Sequence, residues 1–342
     1  RAGDLSKEGE TAQMDKAEVK QARTRLEDVV PRSAPFVIYL DPCGACNFKC
    51  SFCPCNTVEE QAEVRHKIMS WKLFEKLLND LQAFQGKVNV INLHGFGEPL
   101  LNPRIADMVR ALKQEHCCRE VRITTNGSLL DEAKSRALID AGVDIVRVSV
   151  EALSTEGYKD LCGVQIEFSD ILRNIETFYR LARPAGTSKI SAKIFSDTLW
   201  GAEDEKRFYE LFAPITDYHY IEAVEPIWSE FGGCQTMPER EAVPDRCYRM
   251  GERREICSFP FTDMCIHSNG IVGTCCSDWK FATQYGDAKT EALSEIWNGR
   301  RHRAVQRAHL EMKLNSFCAA CRRRSPDRIK NPELLMKRVM KE

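Results

Sequence analysis

Residues 41–55 read DPCGACNFKCSFCPC, and within them Cys46, Cys50 and Cys53 stand in a C-x3-C-x2-C pattern. Three thiolates on one short loop can hold three irons of a [4Fe–4S] cube. The fourth iron is then open, and the cluster can pass an electron directly to whatever binds there. Cys43 and Cys55 flank the triplet. They make a four-thiolate zinc site the alternative, and with the triplet as cluster ligands they read as spectators. A second set lies near the other end of the chain: Cys257 and Cys275, with seventeen residues between them, then Cys318-x2-Cys321. Four thiolates suit a fully ligated [4Fe–4S] cluster or a zinc ion. Between the first two, Asn269-Gly270 predicts a hairpin turn joining Met264–His267 to Ile271–Cys275.

The elements that must hold these loops read as alternating strands and helices. Apolar, β-branched runs predict six strands: Ala34–Leu40, Val88–His94, Glu120–Thr125, Asp144–Val150, Lys189–Phe195 and Tyr218–Val224. Between them, apolar residues recur at helical spacing. Trp71, Phe74, Leu78, Leu81 and Phe84 follow a cap at Ser70; Ile105, Met108, Val109 and Leu112 repeat the pattern. Further helices are read at Leu130–Leu138, Ile171–Leu181 and Phe208–Phe212. Such alternation predicts an α/β fold with a parallel sheet and crossover helices. Six units make a partial (β/α)6 TIM-like barrel, with its active site at the C-terminal strand ends. The cysteine triplet follows the first strand, and other polar motifs follow the next three.

The spacing Cys46-x3-Cys50-x2-Cys53, with Phe52 before the last cysteine, resembles the signature of the radical S-adenosylmethionine (SAM) superfamily. That resemblance implies that SAM chelates the open iron and is cleaved to a 5′-deoxyadenosyl radical. Gly97-Glu98-Pro99, at the end of the second strand, resembles the family's glycine–glutamate–proline motif for the SAM amino group. Phe96 stands where the family usually has the first glycine. Thr125-Asn126 ends the third strand and Ser149-Val-Glu151 the fourth. Both are similar to segments that line the SAM pocket, although the family more often has Asp where Glu151 stands. Simple turn chemistry is the competing account of Asn126-Gly127. Cys257, Cys275, Cys318 and Cys321 resemble the auxiliary [4Fe–4S] modules of the SPASM and shorter twitch types. With no cysteine after Cys321, the single-cluster twitch form fits better.

The implied organisation is a polar leader over 1–34, a radical SAM partial barrel over 35–225, a linker over 226–256, a cluster module over 257–321 and a basic tail over 322–342. The implied reaction removes hydrogen from a hydroxyl-bearing carbon of a sugar-like or aminocyclitol substrate. A nearby auxiliary cluster favours oxidation to a ketone, whereas hydrogen return from a cysteine gives an epimer. Tyr220, Glu222 and Glu225 are candidate bases by their place on or after the sixth strand. The alternatives are modification of a ribosomally made peptide and, more remotely, a non-enzymatic two-cluster electron carrier. A leader of 34 residues is expected to be too short for a peptide-recognition domain. An electron donor such as flavodoxin or ferredoxin is implied.

Composition narrows the rest. A net charge of −1 over 342 residues gives no global field for nucleic acid or membrane, and the basic tail reads as a solvated face. No apolar run is long enough to span a bilayer. Sixteen cysteines in a chain of this length, clustered in two places, predict metal ligation in a reducing compartment and hence a cytoplasmic setting. Cys117, Cys118, Cys162, Cys234, Cys247, Cys265 and Cys276 read mostly as small buried hydrophobes.

Overall fold

A computed structural model describes residues 25–54, 67–222, 256–321, 329 and 331–339. Glu225, Cys55, Cys234, Cys247, nearly all of the 226–256 linker and residues 322–328 of the tail lie outside the described residues. So does Val224, at the end of the expected sixth strand.

Six parallel strands form in sequence order: β1 (Val37–Leu40), β2 (Val90–Leu93), β3 (Glu120–Thr125), β4 (Ile145–Val150), β5 (Lys189–Phe195) and β6 (Tyr218–Glu222). Helices α1 (Trp71–Leu81), α2 (Ile105–Gln114), α3 (Glu132–Asp140), α4 (Thr155–Cys162), α5 (Phe168–Ala182) and α6 (Ala202–Phe212) lie between them. Caps set their starts: Ser70 Oγ accepts from Leu73 N at 3.2 Å, and Asp131 Oδ1 from Lys134 N at 2.8 Å. Helix α4 was not anticipated from periodicity. Ser154 begins it, its Oγ accepting from Gly157 N at 3.0 Å, and Gly163 ends it in the left-handed region at φ +59°.

Each strand alternates two kinds of residue. Ile38, Ile91, Val121, Val146 and Ile190 are wholly buried and join one core with Phe74, Leu112, Ile175 and Phe178 of the helices. Burying each such side chain contributes about 1.5–3 kcal/mol. The opposite face carries Tyr39, Asn92, Arg122, Arg147, Lys193 and Tyr220, all partly exposed. This polar inner face is the surface a bound molecule would meet.

The sheet does not stop at six strands. Its order is β6-β5-β4-β3-β2-β1-β7-β8-β9, with β7 (Asp263–Ile266), β8 (Ile271–Gly273) and β9 (Gly286–Asp287) supplied by the cysteine-rich module. Strand β7 pairs parallel with β1, Tyr39 opposite Cys265. β7 and β8 form the expected antiparallel hairpin, turning at Gly270 with φ +89°. The module is therefore continuous with the barrel sheet. Helices α7 (Leu293–Asn298), α8 (Arg300–Leu310) and α9 (Ser316–Ala320) follow.

The two termini meet in the fold. Residues 25–34 of the polar leader include a helical turn, Leu26–Val29, with Leu26 and Val30 buried. The tail is not wholly solvated: in α10 (Pro332–Val339), Leu335 and Val339 pack with Leu26, Val30, Phe261 and Leu310 in a second small core. Asn331 N donates to Glu27 Oε1 at 3.0 Å and ties the two ends together.

Candidate active site

The triplet loop leaves β1 and is fastened on three sides. Asp41 N donates to Ile266 O at 2.9 Å, holding the loop's start to β7. Lys49 N and Ser51 N donate to Cys162 O and Leu161 O, at 2.8 and 2.9 Å, hanging the loop's middle on the end of α4. Glu98 N donates to Ala45 O at 2.8 Å. That last approach explains Gly97: a Cβ there would stand 2.1 Å from Cys43 O and 2.3 Å from Ala45 O. The glycine lets the β2 loop lie directly on the cysteine loop.

Cys46 is exposed, and Cys50 and Cys53 are partly so. Although part of the residue meets solvent, desolvation of the thiol itself pushes Cys46 up to about 12, with the charges of Glu98 and Cys53 adding to it. Cys50 is pushed up first by a hydrogen bond with Cys162, then by burial. Iron reverses such shifts, because a coordinating thiol is deprotonated outright. The charge of Cys53 is felt at both Cys46 and Cys50, so the three thiols lie near one another on the loop, and as thiolates they could hold three irons of a [4Fe–4S] cube. Cys43 is buried, its Sγ donating to Ala45 O at 3.5 Å, in keeping with a spectator role.

Glu98 is buried and organises the strand ends. Its Oε1 accepts from Thr125 Oγ1 at 2.6 Å and from Leu100 N at 2.9 Å; its Oε2 accepts from Asn126 N at 2.8 Å. Burial raises its pKa, and these bonds oppose the rise. Pro99 opens the helical turn Pro99–Leu101 that follows. Asn126 Nδ2 donates to Asn47 Oδ1 at 2.9 Å, stitching the β3 end to the cysteine loop. The side chains of Glu98, Thr125 and Asn126 therefore tie the ends of β2 and β3 to the cysteine loop. Glu151 differs: it is 8% exposed, and its Oε2 has no hydrogen-bond partner. With Ser149 two residues before it, it offers an acceptor at the end of β4. Phe52 lies edge-on to Phe195 of β5, centroids 6.4 Å apart.

On the inner face, Tyr220 and Glu222 point the same way as Lys193, whose Nζ bonds Glu222 Oε2 at 2.8 Å. The Tyr220 hydroxyl is raised by burial and feels the charges of Arg147, Glu222 and Arg122. The sequence had left open which side of β6 faces inward; this contact set fixes it. His94 stands at the end of β2 with its ring edge-on to Tyr39 at 5.4 Å. Burial, with the charges of Arg147 and Lys193, lowers its pKa to about 3. Asp41 is 2% exposed, and burial raises it to about 6.

In the module, Cys257, Cys275, Cys318 and Cys321 are all partly buried. Burial pushes Cys318 up to about 12, and the charges of Asp278, Cys257 and Cys321 push the same way, so these groups lie together. Cys275 lies near buried Cys265, whose thiol is raised well above its ordinary value by burial and then by Cys276 and Cys275. Among the described residues, no three His, Cys, Asp or Glu side chains converge closely enough to grip one metal ion. Asp41, His94, Arg147 and Cys162 were not singled out from sequence. The inward polar positions of the strands carried a signal for His94 and Arg147, since polar residues alternate there with core residues.

The comparisons with known proteins agree with this arrangement. Residues 40–192 match the Radical SAM superfamily and residues 257–322 the SPASM iron-sulfur cluster-binding domain. A tungsten-containing aldehyde ferredoxin oxidoreductase cofactor-modifying protein from Pyrococcus furiosus is 34% identical over 118 residues, 34% of this chain and 31% of that protein. A GTP 3',8-cyclase from Chlorobaculum tepidum is 33% identical over 148 residues, 43% and 42% of the two. The chain thus spans less than half the length of either relative. Among solved structures, BtrN in complex with AdoMet and 2-DOIA superimposes with a TM-score of 0.54 at 17% identity, over 88% of this chain and 97% of that one. Streptococcus suis SuiB bound to precursor peptide SuiA gives 0.62 at 14% identity, over 93% and 78%. At these identities the likeness establishes the fold. Among the described residues, no helix is long and apolar enough to cross a membrane.

Proposed function

We propose that this chain, a radical SAM superfamily member with a C-terminal SPASM iron–sulfur domain, oxidises a hydroxyl-bearing carbon of a sugar-like or aminocyclitol substrate. The two domains imply SAM, a SAM-binding [4Fe–4S] cluster on Cys46, Cys50 and Cys53, and an auxiliary cluster on Cys257, Cys275, Cys318 and Cys321. When bound, these groups supply a 5′-deoxyadenosyl radical that removes hydrogen and a second cluster able to take up an electron. We set the domain limits at 35–225 and 257–321.

One observation carries the oxidative reading. The module is hydrogen-bonded into the barrel sheet through β1 and β7, and the cysteine loop leaves that same β1. An electron acceptor built into the sheet beside the reacting cluster favours net oxidation over a redox-neutral outcome. The protein's own contribution is positional. Glu151 and Ser149 offer acceptors for ribose hydroxyls, and the main chain around Gly97 lies against the cysteine loop. Tyr220 and Glu222 sit on the inner face, where the Glu222 carboxylate can take the hydroxyl proton and Tyr220, kept as the phenol by burial, can hold the hydroxyl in place. Glu225, the third candidate base, lies outside the described residues. An electron donor such as flavodoxin or ferredoxin completes the scheme.

The test is anaerobic turnover with SAM and a reductant over a panel of aminocyclitols and sugars, scoring 5′-deoxyadenosine together with ketone. An epimer without ketone would overturn the reading, and so would a modified peptide. A second reading rests on the 33% identity to a protein named GTP 3',8-cyclase, so GTP belongs in the panel. Consumption of GTP to a cyclised product would favour that reading.

A further inference from the structure

Three cations line the inner face: Arg122 on β3, Arg147 on β4 and Lys193 on β5. In register, Arg147 lies opposite Thr124 on one side and Ser191 on the other. It therefore stands between Arg122 and Lys193, offset along the strands. Two of the three are neutralised by their neighbours. Arg122 donates to Glu120 Oε2, its Nε at 2.8 Å, and Lys193 pairs with Glu222 at 2.8 Å. Arg147 has no such carboxylate among the described residues. Its Nε is buried without a hydrogen-bond partner, and on the same face, in the row set by the pairs Leu93–Ile123 and Thr124–Arg147, the Nδ1 of His94 is also buried and unpartnered. The Arg147 charge is felt at both His94 and Tyr220, which sets it in the middle of the face. The rim carboxylate Glu151 feels Lys193 and Glu222 instead.

Arg147 as a residue is partly exposed, but a buried N–H left without a partner is costly, and its Nε is one. The planar guanidinium fork matches a phosphate or carboxylate through two parallel bonds. A neutral imidazole in the same row can add one more N–H. Its position along β4 separates Arg147 from the strand-end residues. Arg147 lies four residues upstream of Glu151, roughly 13 Å along the strand at ~3.3 Å per residue.

We propose that Arg147, with His94 two strands away in the same row, holds an anionic substituent of the substrate, a phosphate or carboxylate, on the inner face below the strand ends. This rests on the reading of that face as the substrate chamber and narrows the substrate class to one carrying such a group. Sugars and aminocyclitols of the panel that lack an anionic group, the latter cationic at neutral pH, would then be poorer ligands than their phosphorylated or carboxylated counterparts.

The test uses the reconstituted, SAM-loaded protein under anaerobic calorimetry, titrated separately with inorganic phosphate and acetate. Wild type is compared with R147Q, R147K and R136Q, the last a surface control. Saturable binding of at least one anion is expected, weakened tenfold or more in R147Q, unchanged in R136Q, with SAM affinity retained in all. Preference for phosphate or for acetate assigns the substituent. Should R147Q lose its fold or its iron, R147K decides, because it keeps the charge without the fork; several-fold weaker binding is expected. The proposal is overturned if neither anion saturates the protein, or if the decisive variant binds it as wild type does. It is equally overturned if SAM affinity falls along with anion affinity, since Arg147 would then serve the cofactor. Binding is read without turnover, so absence of ketone would count against the oxidation reading alone.

Discussion

The Phe96 ring stacks on His267, with centroids 5.6 Å apart and planes 8° from parallel, and Phe281 meets the same phenyl edge-on at 6.3 Å. Phe96 occupies the position where a first glycine was expected, so the departure from the family pattern has a structural role. It clamps the loop after β2 to the cysteine module. Phe96→Gly should therefore loosen the module, costing about 2 kcal/mol from lost ring contact and burial. A thermal melt of the cluster-loaded protein should show a fall of about 3–6 °C, with Phe96→Leu recovering part of it. A melt unchanged by Phe96→Gly would show that the stack holds nothing together.

Glu98 accepts three hydrogen bonds from Thr125, Leu100 and Asn126 while buried. In Glu98→Gln one oxygen becomes an NH2, which must face a donor. The mismatch should destabilise the protein by about 1–3 kcal/mol and misplace the β3 end. Denaturant unfolding measures the first effect, and equilibrium binding of SAM the second. Full SAM affinity in a destabilised Glu98→Gln would confine the residue to a purely structural role.

Iron content separates the two cysteine sets. Cys46→Ala, Cys50→Ala or Cys53→Ala should lose about four irons per chain together with SAM cleavage. Cys318→Ala should lose the same amount of iron, retain SAM cleavage and yield no ketone. Cys43→Ala should lose none, because that thiol bonds a carbonyl of its own loop. An iron loss on Cys43→Ala would make it a ligand.

Asp41 provides a pH test with a defined sign. Burial lifts it from 3.8 to about 6, so between these values the folded protein binds the proton that the unfolded chain has released. Stability contributed by this group is present below pH 4 and declines as pH rises to 6. Above that, wild type carries a penalty of about 3 kcal/mol, from roughly two units at 1.36 kcal/mol each. Asp41→Asn does not titrate, so its stability relative to wild type should rise from pH 4 to 6 and then level off. Denaturant midpoints of both proteins across that range measure it; a constant difference would place the proton elsewhere.

The chemistry was legible in the sequence because its signals are local. Three thiols within eight residues already define an iron site, and alternating periodicities of two and 3.6 define strands and helices without reference to anything distant. Helix α4 escaped because it spans two turns and its start rests on one serine cap rather than a long apolar stripe. What the tertiary structure decided was which residues meet across the fold. The β7 hairpin was expected, yet its pairing with β1, more than two hundred residues earlier, is a register that no local pattern encodes. Cys162 resembled any buried cysteine until α4 brought it against Cys50. Likewise, the three inward cations are equivalent on paper. Only the positions of Glu120 and Glu222 leave Arg147 as the one of the three without a carboxylate among the described residues, because an ion pair depends on distance in space and not on spacing in the chain.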